Sequence, residues 1–169
     1  MTGYDGILAF GNSRKIETHL ADVIGPDATL LISEEIAKQS SKIFALGVSH
    51  YNFAKTCPRH HWRQKVSRLY YACYNSSKAI RYYKTGVFSS DVGDHKKIDV
   101  IPDNFPEKER FKSQLGAFRT CRNQADYDHL VKASDLAFTT KEIFDVTKEF
   151  LLLSKKYLIE NGCEIRNRI

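Results

Sequence analysis

The sequence predicts an all-α fold, an up-and-down bundle of about four long helices with a short N-terminal helical element. Apolar residues recur at steps of three and four over stretches much longer than a strand, which marks one face of a helix. Glycine and proline cluster between these stretches, and no segment alternates convincingly between apolar and polar residues. At 169 residues the chain is most simply one helical bundle domain at residues 30–169, preceded by an N-terminal extension at residues 1–29.

The N-terminal extension has the least regular pattern in the chain. Glycines and the triplet Gly25-Pro26-Asp27 interrupt it, so we expect one short helix there, around residues 16–24. The first long helix is predicted from Leu31 to about Lys55, where apolar residues line one side. Ser33 followed by two glutamates suits its N-terminus, because carboxylates stabilise the free backbone amides of the first turn.

The second long helix is predicted to begin at Pro58, where the missing N–H of proline does no harm, and to run to about Lys84. Gly86 suits its C-terminus, since glycine readily adopts the left-handed conformation that often ends a helix. Several tyrosines flank the apolar stripe of this helix. Residues 87–106 contain one glycine and two prolines and are predicted to form a loop.

The third long helix is predicted from Pro106 to about Val131, and the fourth is predicted to end at Asn161-Gly162. Thr139 and Glu142, just before the fourth helix, have the spacing of a capping box. In that motif each side chain bonds the backbone N–H of the other residue. The spacing therefore predicts that the fourth helix begins directly after Thr139.

Composition and charge narrow the class of protein. The net charge is +6 and the isoelectric point is near 9.1, which favours phosphates, nucleic acid or acidic protein surfaces as partners. The four cysteines lie far apart without the spacing of a disulfide framework, so we expect reduced thiols in a cytoplasmic protein. The sequence shows no secretory pattern and no membrane-spanning stretch, and no membrane partner is expected.

The second helix is rich in basic and aromatic residues. The basic ones are Arg59, His60, His61, Arg63, Lys65, Arg68 and Arg81. Interleaved with Trp62 and tyrosines, such residues suit RNA, but their spacing also fits a solvated basic face over an aromatic core. A zinc site at Cys57 and the adjacent histidines is not expected, because neighbours on a helix point about 100° apart and no second ligand pair completes it.

The third helix carries polar residues where its apolar stripe predicts core. Phe111 and Leu115 begin the stripe, and steps of seven residues then lead to Arg122 and His129. Since seven residues are two helical turns, both side chains are expected on one helix face. In one interpretation they are satisfied buried groups, with Arg122 paired to Asp126. In the other, this polar end faces a cleft or a second subunit, where the guanidinium binds phosphate and the imidazole transfers a proton.

Two segments resemble motifs of the HEPN family of helical domains. Residues 67–74, Ser-Arg-Leu-Tyr-Tyr-Ala-Cys-Tyr, are similar to its small-Arg-x-Tyr-Tyr-Ala-x-aromatic helix. Residues 122–127, Arg-Asn-Gln-Ala-Asp-Tyr, resemble the Arg-x-x-Ala-Asp-Tyr motif of one branch. Arg122 and His129 also satisfy the wider family's Arg-x4–6-His signature, and Asp94-His95 falls where this branch often has a small residue and a histidine. The resemblance covers about residues 58–162.

The resemblance implies a homodimeric, metal-independent endoribonuclease, often a toxin or antiviral effector, with its site in a composite cleft between two copies. It implies RNA as substrate, no cofactor, and a cognate antitoxin, recurrently of the nucleotidyltransferase type, as partner. Cleavage can use the 2′-hydroxyl of RNA as nucleophile, so the protein needs to position, shuttle protons and stabilise charge. We assign Arg122 to the scissile phosphate, His129 to proton transfer and Asn123 to orienting the phosphate or the imidazole.

Four further residues are assigned to substrate binding: Arg68, Asp126, Tyr127 and His95. Arg68 has a second interpretation as a structural ion-pair partner of Asp126, and His95 is expected either to line the cleft or to cap a helix end. For the whole chain, the alternative is a non-catalytic HEPN module that binds nucleotide or protein. This alternative arises because the Ala-Asp-Tyr branch of the family frequently lacks the downstream histidine.

Overall fold

Five α-helices and short 3-10 turns make up the observed fold. The structure, a computed structural model, describes the backbone of residues 5–169 and every side chain in that range except those at positions 5, 6 and 92. The α-helices are α1 (Ser13–His19), α2 (Ala21–Thr56), α3 (Trp62–Thr85), α4 (Lys108–Tyr127) and α5 (Thr140–Glu160). The 3-10 turns are Asp5–Ala9, Arg59–His61, Val92–Lys97 and Ala133–Asp135. The described residues contain no strand, and the predicted all-α helical bundle is confirmed.

Helix α3 lies at the centre of the bundle, in contact with α2, α4 and α5. Residues 72–77 form an unbroken run of buried positions. Because six residues cover more than one full turn, this part of α3 is enclosed on all sides. Aromatic rings of α4 and α5 complete the core, with the Phe111 and Phe150 centroids 5.1 Å apart. The enclosed part of α3, which overlaps residues 67–74, therefore lies at the centre of the bundle.

Two helix ends have the local structures predicted from the sequence. Gly86 ends α3 in the left-handed conformation (φ 65°), where a Cβ would lie 2.3 Å from the backbone nitrogen of Arg14. In the capping box before α5, Oγ1 of Thr139 accepts from the Glu142 N–H at 3.2 Å, and the Glu142 carboxylate accepts from the Thr139 N–H at 2.7 Å. Helix α5 ends at Glu160, directly before the predicted stop.

Two of the long helices begin four or more residues away from the predicted positions. Helix α2 begins at Ala21 rather than Leu31, with a break at Gly25 (φ 81°), and continues without interruption through residues 29 and 30. Proline tolerates the position after this break because its missing N–H would have no helical partner there. Pro58 precedes the 3-10 turn, and α3 itself begins at Trp62. The division of the chain at residue 29 stays a prediction.

The N-terminal segment is anchored on the end of α3. The Ser13 N–H donates to the Gly86 carbonyl at 3.0 Å, and Nε of Arg14 donates to the Tyr83 carbonyl at 3.0 Å. Residues 1–4 of the predicted N-terminal extension lie outside the described residues. Within residues 5–169, none of the helices combines the length and apolar character needed to cross a lipid bilayer.

Helix α4 ends at Tyr127, four residues before the predicted end at Val131. Arg63 on α3 stabilises this end, since its guanidinium donates to the carbonyl of Ala125 in the last turn at 2.7 Å. It also donates to the carbonyls of Asp128 at 2.8 Å and Val131 at 2.6 Å, just beyond the helix. The last four carbonyls of a helix lack intrahelical partners and carry partial negative charge, so a guanidinium stabilises this end. Arg63 is therefore the C-terminal cap of α4.

The early end of α4 corrects the predicted geometry of the candidate catalytic pair. Asp128 is extended (φ −98°, ψ 105°), and His129 lies beyond the helix. The prediction that Arg122 and His129 share one helix face is therefore wrong, because the helical register on which it depends stops at Tyr127.

Candidate functional site

Arg122 lies on the last turns of α4, and its side chain is only 14% exposed. Nη2 donates to the hydroxyl of Tyr71 at 2.9 Å, and Nη1 donates to Oδ1 of Asn123 at 3.2 Å. Nε lies 2.8 Å from Oδ2 of Asp126, in an ion pair whose N–H does not point along the contact. The pairing of Arg122 with Asp126 is confirmed, and groups on both α3 and α4 fix the guanidinium.

Three tyrosine rings surround this guanidinium. The carbon at its centre lies 5.7 Å from the ring centroid of Tyr70, 5.4 Å from that of Tyr71 and 5.1 Å from that of Tyr127, within reach of cation–π attraction. Burial lowers the pKa of Arg122, but Tyr71 and Asp126 outweigh burial and raise the pKa above its usual value. Arg122 is thus a permanent positive charge in a fixed position.

Arg68 contacts α2 instead of Asp126, so its interpretation as the partner of Asp126 is wrong. Its guanidinium lies 5.0 Å from the Phe53 ring centroid and donates to Nδ1 of His50 at 3.2 Å. Asp126 instead pairs with the arginine one turn before it and accepts from Oγ of Ser67 at 3.3 Å. Neighbouring residues of a helix point about 100° apart, which is why Ser67 contacts α4 while Arg68 contacts α2.

His50 is a neutral imidazole next to Tyr71. The two rings stack with centroids 5.5 Å apart. Because an arginine can only donate, Nδ1 of His50 accepts from Arg68, and the proton of the neutral ring lies on Nε2. Burial and then the positive charge of Arg68 lower the pKa of His50.

His95 lies in the 3-10 turn Val92–Lys97, beside the aromatic neighbours of Arg122 and not at the end of an α-helix. It stacks on Tyr74 with centroids 4.3 Å apart, and its Nδ1 lies 3.0 Å from the Tyr70 hydroxyl. Burial and then the charge of Arg122 lower the pKa of His95, while burial raises the pKa of Tyr70 to about 12. A protonated phenol therefore lies beside a neutral imidazole.

Asp94 holds the turn that carries His95 against α3. It is buried, accepts from Nη1 and Nη2 of Arg81 at 3.1 and 3.0 Å, and accepts from the Tyr74 hydroxyl at 2.8 Å. Burial raises the pKa of Asp94, but the hydrogen bonds from Arg81 and Tyr74 outweigh burial and hold it at about 2. Asp94 is thus an anion throughout the physiological pH range, and it fixes the position of His95.

His129 is exposed in the segment after α4. It lines an open depression of about 710 Å³ together with Asn123 and Tyr127, and the Tyr127 side chain is 68% exposed. Arg122 does not line this depression. Asn123 connects the two, because its Oδ1 accepts a hydrogen bond from Arg122 and the residue also borders the depression. The structure therefore brings His129 and Asn123 to one surface, with Arg122 behind Asn123.

Three residues of this site are not predicted from the sequence: Tyr70, Tyr71 and His50. The tyrosines flank the apolar stripe of α3, and that position predicts core. A signal was present for both, since they stand in the segment that resembles the Arg-x-Tyr-Tyr-Ala motif. His50 carries no comparable signal, because its contacts with Arg68 and Tyr71 join two helices.

The site contains the fixed positive charge of Arg122 and the neutral imidazoles of His50 and His95. In the part of the chain that the structure describes, no cluster of three or more His, Cys, Asp or Glu side chains is placed to hold a metal ion. The groups present can bind an anion and transfer protons, which suits chemistry at a phosphate.

No protein-family model matches the chain, and neither a curated protein nor a solved structure is significantly similar to it.

Proposed function

We propose that this chain is a metal-independent endoribonuclease of the HEPN type, with RNA as substrate and with Arg122, His129 and Asn123 as catalytic residues. The observation that carries the proposal is the fixed charge of Arg122, which Asn123 connects to the depression that His129 lines. The order and spacing of the HEPN-like segments support it as well.

Arg122 suits the binding of a phosphate. A guanidinium has five N–H donors in a planar fork, and the hydrogen bonds to Tyr71 and Asn123 each use one N–H of a terminal nitrogen. The contacts with Tyr71 and Asp126 hold the fork in place before any ligand binds. A charge that needs no rearrangement stabilises the negative charge that develops on phosphate oxygens in the transition state.

The ribose supplies the nucleophile for this reaction. The 2′-oxygen attacks the adjacent phosphorus, the bond from phosphorus to the 5′-oxygen of the next nucleotide breaks, and a 2′,3′-cyclic phosphate forms. His129 transfers the proton that leaves the 2′-hydroxyl or the proton that the departing 5′-oxygen needs. Asn123 orients the phosphate or the imidazole. The surrounding candidates, Arg68, Asp126, Tyr127 and His95, position the substrate or these groups.

The active form in this proposal is a homodimer whose interface includes the end of α4. Tyr127 and Leu130, which both border the depression, are 68% and 90% exposed. Association of two copies would remove this apolar surface from water. A twofold axis near it would bring both copies of Arg122 and His129 to one composite cleft.

A ribonuclease of this kind needs control within its own cell. We propose a toxin or antiviral effector in the cytoplasm, restrained by a cognate antitoxin or a nucleotidyltransferase-type partner. The net charge of +6 suits either RNA or an acidic partner surface.

The test is cleavage of single-stranded and structured RNAs by the purified full-length protein in EDTA. We expect cleavage with 2′,3′-cyclic phosphate ends. In Arg122→Ala the cleavage rate is expected to fall by at least about a hundredfold, which is the usual cost of losing one transition-state donor. Circular dichroism shows whether that variant is folded. Arg122→Lys, which keeps the charge without the fork, is expected to be intermediate. Cleavage that requires a divalent cation contradicts the proposal.

A non-catalytic HEPN module that binds nucleotide or protein is the second candidate. The observation that favours it is the pairing of Arg122 with Asp126 inside one chain, with the arginine largely buried. Such pairing is typical of a structural ion pair. In this case the wild-type protein leaves every RNA intact, with or without divalent cations.

A further inference from the structure

A second concave surface lies between the end of α2, the start of α3 and the start of α5. Its volume is about 900 Å³, and it shares no lining residue with the depression at His129. Four cationic side chains line it, and none of its lining residues is acidic. They are Lys55, Arg59, Lys65 and Lys141. We refer to this surface as the basic pocket.

Three of the four cations of the basic pocket have no carboxylate partner among the side chains that the structure describes. Lys141 pairs with Asp145 at 2.9 Å. Lys55 and Lys65 instead lie over aromatic rings, at 4.7 and 5.4 Å from the ring centroids, and Arg59 is exposed. The three cations without a carboxylate partner repel one another, and a bound polyanion relieves that repulsion.

The basic pocket also has an aromatic wall. Trp62 and Phe144 line it, and both are partly buried against the core. The guanidinium of Arg63 lies 4.6 Å from the Trp62 ring centroid and covers part of the indole. The Phe144 ring is occupied as well, since Tyr51 stacks on it with centroids 5.1 Å apart and Lys65 lies over it. The part of the Trp62 indole that Arg63 leaves uncovered lines the pocket, and bases of any sequence stack on aromatic side chains.

We propose that the basic pocket binds a nucleotide, with the phosphates at Lys55, Arg59 and Lys65 and the base against Trp62. A volume of about 900 Å³ lies within the range of roughly 300–1,000 Å³ that small-molecule sites occupy. An acidic peptide would use the cations but leave the aromatic wall without a planar partner. The nucleotide is either a free nucleoside triphosphate or one unit of single-stranded RNA, and binding here does not depend on RNA cleavage at Arg122.

Fluorescence tests this site directly, because Trp62 is the only tryptophan of the chain. The full-length protein is titrated with ATP and, separately, with a short single-stranded oligouridylate. We expect a saturable change in Trp62 emission with at least one of them. Adenosine lacks the phosphates and inorganic triphosphate lacks the base. Both are therefore expected to bind more weakly than ATP if the free nucleotide is the ligand.

The double variant Lys55→Ala/Lys65→Ala is expected to bind about tenfold more weakly, the loss that corresponds to about 1.4 kcal/mol. The matched control is Lys112→Ala/Lys148→Ala, which removes the same charge from exposed positions on α4 and α5 and keeps wild-type affinity. Circular dichroism monitors folding, and Arg59→Gln, at an exposed position, replaces the double variant if that variant does not fold.

Each outcome decides between defined alternatives. Saturation by ATP supports a free-nucleotide site, and saturation by the oligouridylate supports an RNA-nucleotide site. The proposal is overturned if neither ligand changes Trp62 emission saturably, or if the lysine double variant binds as tightly as its control. Tighter binding of an oligoglutamate peptide than of either ligand overturns it as well.

Discussion

Nη2 of Arg122 donates to the hydroxyl of Tyr71 at 2.9 Å, across the contact between α4 and α3. The two residues stand in the two segments that resemble HEPN motifs, 51 positions apart in the chain. The bond explains how an arginine can occupy an apolar stripe: its charge is paired with Asp126, and one terminal nitrogen is bonded to a tyrosine of the central helix. It also fixes the direction of the guanidinium.

Tyr71→Phe removes the acceptor of this bond while keeping the ring. We expect the free energy of unfolding to fall by about 1 kcal/mol, because a partly buried N–H loses its partner. RNA cleavage is expected to fall about tenfold, since the fork of Arg122 loses its orientation. Denaturant unfolding and a cleavage assay measure the two effects. Tyr157→Phe, which removes the hydrogen bond of another tyrosine to Asn104, is the control for cleavage. An equal loss of cleavage in both variants would contradict the role given to Tyr71.

Arg63→Met removes the cap of α4 while keeping most of the side-chain length. The free energy of unfolding is expected to fall by roughly 2–3 kcal/mol, because several carbonyls lose a charged donor at once. Hydrogen exchange should accelerate in residues 124–131. Arg59→Met is the matched control, since Arg59 is exposed, and it should change neither quantity. Unchanged exchange in Arg63→Met would show that α4 ends at Tyr127 without this cap.

The buried ion pair of Asp94 and Arg81 makes stability depend on acidity. The pKa of Asp94 is held at about 2, below its usual value of 3.8, so the stabilisation is complete above pH 4 and is lost as the pH falls toward 2. The expected loss is about 2 kcal/mol. Asp94→Asn leaves Arg81 without its anion and should destabilise the protein by roughly 3 kcal/mol at neutral pH.

The difference between wild type and Asp94→Asn should therefore shrink as the pH falls from 5 to 2, which urea unfolding at several pH values measures. Asp103→Asn removes an exposed carboxylate that pairs with Lys108 and should leave the stability nearly unchanged. A constant difference between wild type and Asp94→Asn over this pH range would refute the assignment.

The closeness of His95 to Arg122 predicts a measurable coupling. Burial and then the charge of Arg122 lower the pKa of His95, so Arg122→Gln should move that pKa upward, toward its usual value. Titration of the imidazole by nuclear magnetic resonance gives the pKa in both proteins. Arg166→Gln, at an exposed position near the C-terminus, should leave it unchanged. An unchanged pKa in Arg122→Gln would mean that the two groups do not interact.

The helical bundle could be predicted from sequence because most of its signals are local. Thr139 and Glu142 are three positions apart in a capping box, and Gly86 acts within the last turn of α3. The pairing of Arg122 with Asp126 is equally local, since it spans one helical turn. Each of these depends on spacing that is visible in the sequence.

The end of α4 could not be predicted in this way. Its cap comes from Arg63, which stands 62 positions before the carbonyl of Ala125. The helical pattern of residues continues past Tyr127, while the backbone leaves the helix to meet that guanidinium. The contact of Tyr71 with Arg122 and that of His50 with Arg68 also join separate helices, so the spacing of residues within one helix does not predict them.

The central claim is that His129 transfers a proton in RNA cleavage, and one comparison tests it most directly. RNA cleavage in EDTA is measured for wild type, His129→Ala and His19→Ala. His19→Ala is the control, because it removes an exposed imidazole on α1. We predict that His129→Ala remains folded and cleaves at least about a hundredfold more slowly, while His19→Ala cleaves at the wild-type rate. Equal cleavage by His129→Ala and His19→Ala would contradict the claim.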